Sequence, residues 1–319
     1  MKNAFEVISL PGTGAEIKGL NVARLSDPDV RSRLYQTWLE HRVLLFRGIG
    51  TSNEIHIELS GIFGHLEKQE SVLTSLKVEG QDSVIAVERG GKAGSPSFWV
   101  GGGVSGWPQL VTGLVFWHQD TIFTPTIIKG GVLRMIEACK VGGNTGWIDT
   151  TKVYESLPED VRNRIDKLEA RHRLRLDANP VRFGKDSLFM RQATYEEVPY
   201  ERQPFPELPD AVHPLVCVHP ETGRKSLSIS PLSVASIEGM DSGESDELLS
   251  YLAEFTLQSP HRYIHHWNVN DMVLWDNRCV LHAAMGHPAG ENRVAYRTTL
   301  DDGIASGRYV ERSQVEVYC

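Results

Sequence analysis

Short apolar segments separated by glycine, proline and other turn-forming residues fill the chain from Val115 onward. Segments of this kind are typical of β-strands, whereas residues 158–168 and 245–257 have the length and spacing of helices. Many short strands with a few helices outside them favour a sandwich or barrel over a doubly wound parallel sheet. The strands are predicted at residues 132–137, 146–148, 215–219, 226–229, 263–267, 272–275 and 293–299.

The first 63 residues contain both kinds of element. Strands are predicted at residues 5–10, 15–22 and 43–46, and helices at residues 30–41 and 51–63. The 319 residues can bury one large core, and neither an internal repeat nor a low-complexity tract divides them. We therefore expect a single α+β domain over residues 1–319, mostly β with peripheral helices.

Residues 90–113 form the most irregular part of the chain, because they are rich in glycine, serine and proline. This segment also carries Trp99 and Trp107, two side chains that would be costly to leave fully in water. A loop this long inside a compact domain is usually functional. We expect a lid or insert at about residues 90–113, with a packed surface excursion as the alternative.

Composition excludes several classes of partner. A formal net charge of −8 and an isoelectric point of about 5.9 argue against a nucleic-acid backbone, which needs a concentrated basic surface. No stretch approaches the roughly 20 apolar residues of a membrane-spanning helix, and the N-terminal segment lacks the apolar run of a signal peptide. The four cysteines form no CxxC pair, so no thiolate zinc site or disulfide framework is predicted. We expect a cytoplasmic protein with no nucleic-acid or membrane partner.

A candidate metal site lies in Phe116-Trp117-His118-Gln119-Asp120. In a strand, His118 and Asp120 point to the same face and can share one metal ion. A second imidazole would complete the set of two histidines and one carboxylate that holds Fe(II), with positions open for a chelating cosubstrate and oxygen. His282 is the best candidate for that ligand.

Arg293 and Arg297 lie four residues apart, which puts two guanidinium groups on one face of a strand with only Ala295 between them. A guanidinium group stays charged when buried and binds a carboxylate through two hydrogen bonds. Such a group could hold the far end of a dicarboxylate whose near end chelates iron. A surface salt bridge across strands is the alternative.

Taken together, these motifs resemble those of the taurine/2,4-dichlorophenoxyacetate dioxygenase family over about residues 15–302. The resemblance is carried by WHQD, GGNTGW, HPLVCVHPETGRKSL, WDNRCVLH, and arginines eleven and fifteen positions after His282. It implies a double-stranded β-helix (jelly-roll) core and an oxygenase that uses Fe(II), 2-oxoglutarate and O2. It also implies metal ligation by His118, Asp120 and His282, and no catalytic side chain beyond the metal centre.

The same resemblance implies roles around the metal. Thr145 and Arg293 are expected to hold the remote carboxylate of 2-oxoglutarate, and Arg297 an anionic group of the substrate. Related halogenases lack the carboxylate ligand, so Asp120 implies oxidation rather than halogenation. We expect hydroxylation of a small organic acid that carries a carboxylate, sulfonate or sulfate, with desaturation or oxidative cleavage as alternatives.

Two features concern the substrate. Residues 113–116 are apolar just before the candidate ligands, which favours a bulkier and more apolar acid than taurine. His65 lies near the place where the family often supplies a substrate-binding histidine.

Two further motifs are interpreted as structural. The Thr222-Gly223 turn predicts a hairpin, and Asp276-Asn277 predicts a turn whose side chains position the strand that carries His282.

Two rival functions use the same residues. One is a zinc hydrolase with the same three ligands, and the other is a non-catalytic barrel that binds an acid. The sequence leaves open whether the protein is a homo-oligomer.

Overall fold

β-Strands dominate the computed structural model, which describes residues 4–67, 76–78, 81–89, 111–174, 181–184, 186, 208–288, 291–301 and 303–310. The helices within these residues are α1 (Pro28–His41), α2 (Asn53–Ser60), α3 (Thr150–Ser156), α4 (Glu159–Ile165), α5 (Ser242–Leu257) and a short 3-10 helix (Val22–Arg24). The strands are β1 (Glu6–Ser9), β2 (Ala15–Lys18), β3 (Val43–Phe46), β4 (Leu76–Val78), β5 (Gln81–Arg89), β6 (Val111–His118), β7 (Thr126–Ile127), β8 (Gly130–Glu137), β9 (Thr145–Asp149), β10 (Glu169–His172), β11 (Ala211–Pro214), β12 (Val216–Val218), β13 (Lys225–Leu227), β14 (Val234–Ile237), β15 (Arg262–His265), β16 (Met272–Asp276), β17 (Val280–Pro288), β18 (Arg293–Leu300), β19 (Ile304–Ala305) and β20 (Arg308–Tyr309).

Two sheets form the centre of the fold. The larger has eight strands in the order β1-β2-β3-β16-β8-β18-β5-β4, and the smaller has four in the order β15-β9-β17-β6. A core rich in tryptophan lies between them, with side chains from both sheets, including Leu133, Trp147, Val273 and Trp275. Apart from the pairs β1-β2 and β4-β5, most neighbours within the two sheets come from distant parts of the chain, and almost all pairs are antiparallel. This confirms the jelly-roll core.

Strand β3 shows why its sequence is apolar throughout. Val43 and Leu45 face the core between the sheets, whereas Leu44 and Phe46 face a second core under α1 and α2. A strand that is buried on both faces needs a continuous apolar run instead of alternation. Its bounds agree with the prediction, residue for residue.

Helices cover the other faces of the two sheets. α1 begins at Pro28 with the Asp27 side chain accepting from the backbone of Asp29, and buries Val30, Leu34 and Trp38 against the large sheet. α3, α4 and α5 pack on the small sheet, through a third core that includes Trp117 and Leu281 of β6 and β17. The helices are therefore peripheral, as predicted.

Several bounds differ from the prediction. The strand predicted at residues 15–22 ends at Lys18, because Gly19 turns the chain at a φ of +74°. Helix α3 was not predicted; its start is set by Asp149, whose side chain accepts from the backbone of Thr151 and Lys152. The list of predicted strands also lacks β5 and β17, which have nine residues each, and β17 carries His282.

The lid predicted at about residues 90–113 lies outside the described residues, with Trp99 and Trp107, except that residues 111–113 begin β6. Among the described helices, none has both the length and the apolar character needed to cross a membrane.

Candidate metal and cosubstrate site

The three candidate metal ligands lie together at one end of the small sheet. β6 and β17 are antiparallel neighbours, and His118 is directly opposite His282 in their register. Asp120 approaches both rings: one carboxylate oxygen is 3.4 Å from His118 Nε2, and the other is 3.4 Å from His282 Nε2. The geometry brings together the three residues that the sequence singled out.

The local conformation differs from the one predicted for this motif. β6 ends at His118, so Asp120 lies in the turn after the strand and not within it. Gln119 is buried and points away from the site, where its amide donates to the backbone carbonyl of Asn277 at 2.7 Å. His118 and Asp120 thus face the same side, while the side chain of Gln119 between them bonds to Asn277.

The hydrogen bonds of His118 show what the site can hold. Its Nδ1 lies 2.7 Å from the carbonyl oxygen of Phe116, which can only accept, so Nδ1 carries the hydrogen. In the neutral ring, Nε2 then points its lone pair at the Asp120 carboxylate. Two electron-rich atoms in this arrangement are stabilised by a cation that both can bind. The ligand set therefore fits a divalent iron ion.

The charges around the site favour metal binding at neutral pH. Burial alone would raise the pKa of Asp120, but Arg297 and the imidazoles of His282 and His118 hold that pKa well below its usual range. Burial, together with the neighbouring His118, lowers the pKa of His282 to about 4. Asp120 is thus ionised and His282 neutral at pH 7, which are the forms that bind a metal.

Arg297 lies beside the candidate ligands. Its Nη2 is 2.6 Å from the Asp120 carboxylate, and its guanidinium group lies 5.0 Å from the centre of the Trp275 ring. Its Nε is buried without a hydrogen-bond partner among the described residues. The anion opposite this arginine is thus the carboxylate of a candidate metal ligand, in addition to the substrate group that the sequence predicted for it.

Arg293 is held at the other side of the site, next to Thr145. Its Nε donates to the backbone carbonyl of Gly143 at 3.0 Å and its Nη2 to Thr145 Oγ1 at 3.3 Å. Gly143 has a φ of +69°, and a Cβ there would lie 2.9 Å from Cys139 Sγ and 3.2 Å from Arg293 Cδ. A side chain at Gly143 would displace the arginine, which explains the glycine in GGNTGW.

A cavity of about 260 Å³ connects these groups. All six residues predicted for the site line it: His118, Asp120, Thr145, His282, Arg293 and Arg297. The other described residues of its wall are apolar: Val87, Val115, Leu133, Trp147, Leu232, Trp275, Ala283 and Ala284. A cavity with apolar walls and a few convergent polar groups is typical of a small-molecule site.

The apolar run at residues 113–116 contributes only Val115 to this wall, while Phe116 packs into the core under the helices. Val115 and His118 are three residues apart, yet both face the cavity because a β-bulge interrupts the pairing of β6 with β17. His65 is exposed and is not among the described residues that line the cavity.

Asn277 clamps the backbone of Asp120. Its side-chain oxygen accepts from the Asp120 N–H at 2.9 Å, and its side-chain nitrogen donates to the Asp120 carbonyl at 3.0 Å and to that of Ile128 at 3.2 Å. The Asn277 side chain therefore ties the turn before β17 to the segment that carries Asp120. That this turn positions the strand with His282 stays a prediction.

Asp276 belongs to a second, buried cluster with His219, Arg278 and Cys279. The Asp276 carboxylate accepts from two nitrogens of Arg278 at 2.8 Å each and lies 2.9 Å from His219 Nε2. His219 comes from the hairpin of β12 and β13, whose turn has Gly223 at a φ of +68°. The hairpin is structural, as predicted, but its contribution to this cluster was not predicted.

Trp267 is another residue that the sequence did not single out. Its indole Nε1 donates to Thr145 Oγ1 at 2.9 Å. An aromatic residue at the end of a strand carries no distinctive spacing, so only its proximity to Thr145 reveals the contact.

Comparisons with known proteins agree with this geometry. The sequence model of the family described as "Taurine catabolism dioxygenase TauD, TfdA family" matches residues 6–299, and the chain belongs to this family. The resemblance inferred from the motifs is thus confirmed.

Particular relatives are similar over nearly the whole chain. An (S)-phenoxypropionate/alpha-ketoglutarate-dioxygenase of Sphingobium herbicidovorans is 31% identical over 307 residues, which cover 96% of this chain and 98% of the relative. An alpha-ketoglutarate-dependent 2,4-dichlorophenoxyacetate dioxygenase of Cupriavidus pinatubonensis is 30% identical, covering 89% and 96%. The crystal structure of a taurine dioxygenase from Burkholderia xenovorans superposes with a TM-score of 0.72 at 26% identity, covering 98% of this chain and 96% of the other.

The chain is therefore a dioxygenase that uses Fe(II), 2-oxoglutarate and O2 to oxidise a small molecule. This confirms the predicted enzyme class and cofactors. It favours the iron enzyme over the zinc hydrolase and over the non-catalytic barrel.

Proposed function

We propose that this enzyme hydroxylates an organic acid with an apolar body, whose anionic group is bound by Arg297 next to the metal. The observation that carries the proposal is the buried Arg297 Nε, which has no hydrogen-bond partner among the described residues and belongs to a side chain that lines the cavity. A buried donor without a partner is costly, and an anionic substrate would satisfy it.

The residues of the cavity divide into three roles in this proposal. His118, Asp120 and His282 hold Fe(II), and Arg293 with the Thr145 hydroxyl binds the remote carboxylate of 2-oxoglutarate. The bound metal, with 2-oxoglutarate and oxygen, supplies the oxidising power, and succinate and CO2 are released. The chain itself orients both acids: Arg293 and Arg297 lie four residues apart on β18 and line the same cavity.

The apolar wall supports a substrate with a hydrocarbon or aromatic body. Val87, Val115, Leu133 and Leu232 offer no hydrogen bond to an amine, so a small zwitterion such as taurine would lose the hydration of its ammonium group without compensation. The dioxygenases of Sphingobium herbicidovorans and Cupriavidus pinatubonensis are named for aryloxyalkanoates, which combine a carboxylate with an aromatic ring. Desaturation or oxidative cleavage at the same site is the second candidate outcome.

The remaining predictions belong to the same proposal. One domain over residues 1–319 is supported by the large sheet, in which strands from the first fifty residues pair with strands near residue 275. A cytoplasmic location and the absence of nucleic-acid and membrane partners stay predictions, and a homo-oligomer stays open.

Arg297→Gln tests the substrate contact. Using 2-phenoxypropionate as the probe, we expect the KM to rise by about 10- to 100-fold, because a hydrogen bond to a charged group is lost. The affinities for Fe(II) and 2-oxoglutarate, measured without oxygen, should change much less. Succinate release measured with taurine should be weak in the wild-type enzyme.

The same experiment can contradict the proposal. If Arg297→Gln lowers only the affinity for Fe(II) and leaves the KM of the acid unchanged, Arg297 serves Asp120 and not the substrate. If taurine is a better substrate than the aryloxy acid, the argument from the apolar wall is wrong.

A further inference from the structure

The hydroxyl group of Thr145 receives two hydrogen bonds. Trp267 Nε1 donates to Thr145 Oγ1 at 2.9 Å, and Arg293 Nη2 donates to the same atom at 3.3 Å. An indole N–H and a guanidinium N–H can only donate, so Thr145 is the acceptor in both.

This arrangement settles which way the Thr145 hydroxyl can donate. A hydroxyl group has two acceptor lone pairs and one hydrogen. Because Trp267 and Arg293 occupy both lone pairs, the hydrogen must point elsewhere. Among the described residues, none accepts a hydrogen bond from Thr145 Oγ1, and Thr145 lines the cavity with a side chain that is only 5% exposed. An acceptor inside the cavity is the partner that this hydrogen lacks.

We propose that Trp267 is a positioning residue for the cosubstrate: its indole N–H fixes the Thr145 hydroxyl so that the hydrogen points at the remote carboxylate of 2-oxoglutarate. The proposal rests on the assignment of Thr145 and Arg293 to that carboxylate. The bond from Trp267 also polarises the hydroxyl group, which strengthens the bond it donates. Without Trp267, the hydroxyl can rotate and lose this preference.

The surroundings hold the indole ring in place. Trp267 packs edge-on against His265, with ring centroids 4.5 Å apart, and against Trp147, with ring centroids 6.4 Å apart. The Asp271 carboxylate holds residues before and after Trp267: it lies 3.1 Å from His265 Nε2 and accepts from the Asn268 N–H at 3.1 Å. The ring is therefore fixed independently of Thr145, as a positioning role requires.

The test compares Trp267→Phe with the wild type. The affinity of the Fe(II) enzyme for 2-oxoglutarate is measured without oxygen, from the visible absorption band of the chelated keto acid. We expect Trp267→Phe to weaken binding by about 3- to 10-fold, the range of one net hydrogen bond. Binding of 2-oxovalerate, which has a methyl group in place of the remote carboxylate, should not change.

Variants of Thr145 separate this role from a general loss of packing. In a Thr145→Val background, Trp267→Phe should have no further effect on 2-oxoglutarate binding, because the hydroxyl is already absent. In a Thr145→Ser background, which keeps the hydroxyl, the effect should return. Trp38 is a buried tryptophan of α1 that packs in the core against the large sheet. Trp38→Phe is therefore the control for the loss of a buried indole ring and should leave the affinity for 2-oxoglutarate unchanged.

Additive effects of Trp267→Phe and Thr145→Val, or equal weakening of 2-oxoglutarate and 2-oxovalerate, would overturn the proposal. Arg293→Ala distinguishes this failure from failure of the proposed function. If that variant also leaves the preference for 2-oxoglutarate over 2-oxovalerate intact, the cosubstrate does not bind at Arg293. If it abolishes the preference while the tryptophan effect is additive, only the role of Trp267 is wrong.

Discussion

Within the described part of the chain, two clusters have the composition of a metal site, and they differ in how their polar atoms are satisfied. His118, Asp120 and His282 form one, and His219, Asp276 and Cys279 form the other, which is fully buried. In the second cluster, Nδ1 of His219 accepts from two backbone N–H groups, so its Nε2 carries a hydrogen and donates to Asp276. In the first, Nε2 of His118 keeps its lone pair.

The difference shows that residue types do not define a metal site by themselves. The Asp276 carboxylate is satisfied by His219 and by the guanidinium group of Arg278, which leaves no oxygen for a cation. The Asp120 carboxylate also accepts from Arg297, but through one oxygen only, and its other oxygen faces the Nε2 lone pair of His118, so this oxygen can bind a cation. Hydrogen-bond accounting therefore separates a candidate metal centre from a structural ion pair.

The largest expected effect tests the comparison directly. Asp120→Ala should remove the bound iron and all succinate release that depends on substrate, a loss beyond the roughly 10- to 100-fold typical of residues that only orient ligands. Cys279→Ala should keep one iron per chain and most of the activity. Metal content and turnover, measured on the same samples, check both.

Iron that survives in Asp120→Ala but disappears in Cys279→Ala would reverse the assignment of the two clusters. His282→Ala provides an independent variant of the first cluster, in case Asp120→Ala folds poorly.

The second cluster should matter for stability. Asp276→Asn leaves the buried Arg278 with a weaker partner, and breaking one half of a buried ion pair costs about 3–5 kcal/mol. Since Arg278 also bonds to Glu221 at 2.9 Å, we expect the lower end of that range. Urea unfolding of the metal-free variant measures the loss.

The pH dependence of that loss has a definite sign. Burial would raise the pKa of Asp276, but Arg278 and His219 lower it below its ordinary value of 3.8. A carboxyl group whose pKa is lowered in the folded state stabilises the fold at a pH above its pKa in the unfolded state. This stabilisation is lost as the pH falls through its pKa in the folded state. The difference in the free energy of unfolding between wild type and Asp276→Asn should be constant from pH 8 to 5 and should narrow only below about pH 4. A difference that already shrinks at pH 6 would contradict this account.

The smallest effect links the two clusters. Asn277 follows Asp276 and holds the backbone of Asp120, so Asn277→Ala should lower the affinity for Fe(II) by about 10- to 100-fold while keeping the three ligands. Ser245→Ala, which removes a buried hydrogen bond to Ile237 at the start of α5, is the matched control for stability. Equal affinity for Fe(II) in Asn277→Ala and in Ser245→Ala would show that the hydrogen bonds from Asn277 to the Asp120 backbone have no influence on metal binding.

The sequence predicted the parts of the site that depend on chain-local spacing. Arg293 and Arg297 are four residues apart in one strand and share a face, as strand spacing predicts. His118 and Asp120 are two residues apart and also lie together, although Asp120 is in the turn after the strand. The strand at Val43–Phe46 was also predictable, because an apolar run bounded by turn and helix signals has few other interpretations.

What the sequence did not reveal depends on contacts between distant segments. Asn277 bonds to Asp120 across 157 positions, and Trp267 bonds to Thr145 across 122. The bulge between β6 and β17, which turns Val115 toward the cavity, also exists only in the paired sheet.

By itself, then, the sequence determined the class of fold and the arginine pair, because spacing along one strand fixes which side chains share a face, and its motifs named the candidate metal ligands His118, Asp120 and His282. Only the tertiary structure decided which histidine and aspartate side chains can still bind a metal ion and which form an ion pair. That choice depends on where each hydrogen and lone pair is satisfied, and the partners that satisfy them come from strands that meet only when the jelly roll is assembled.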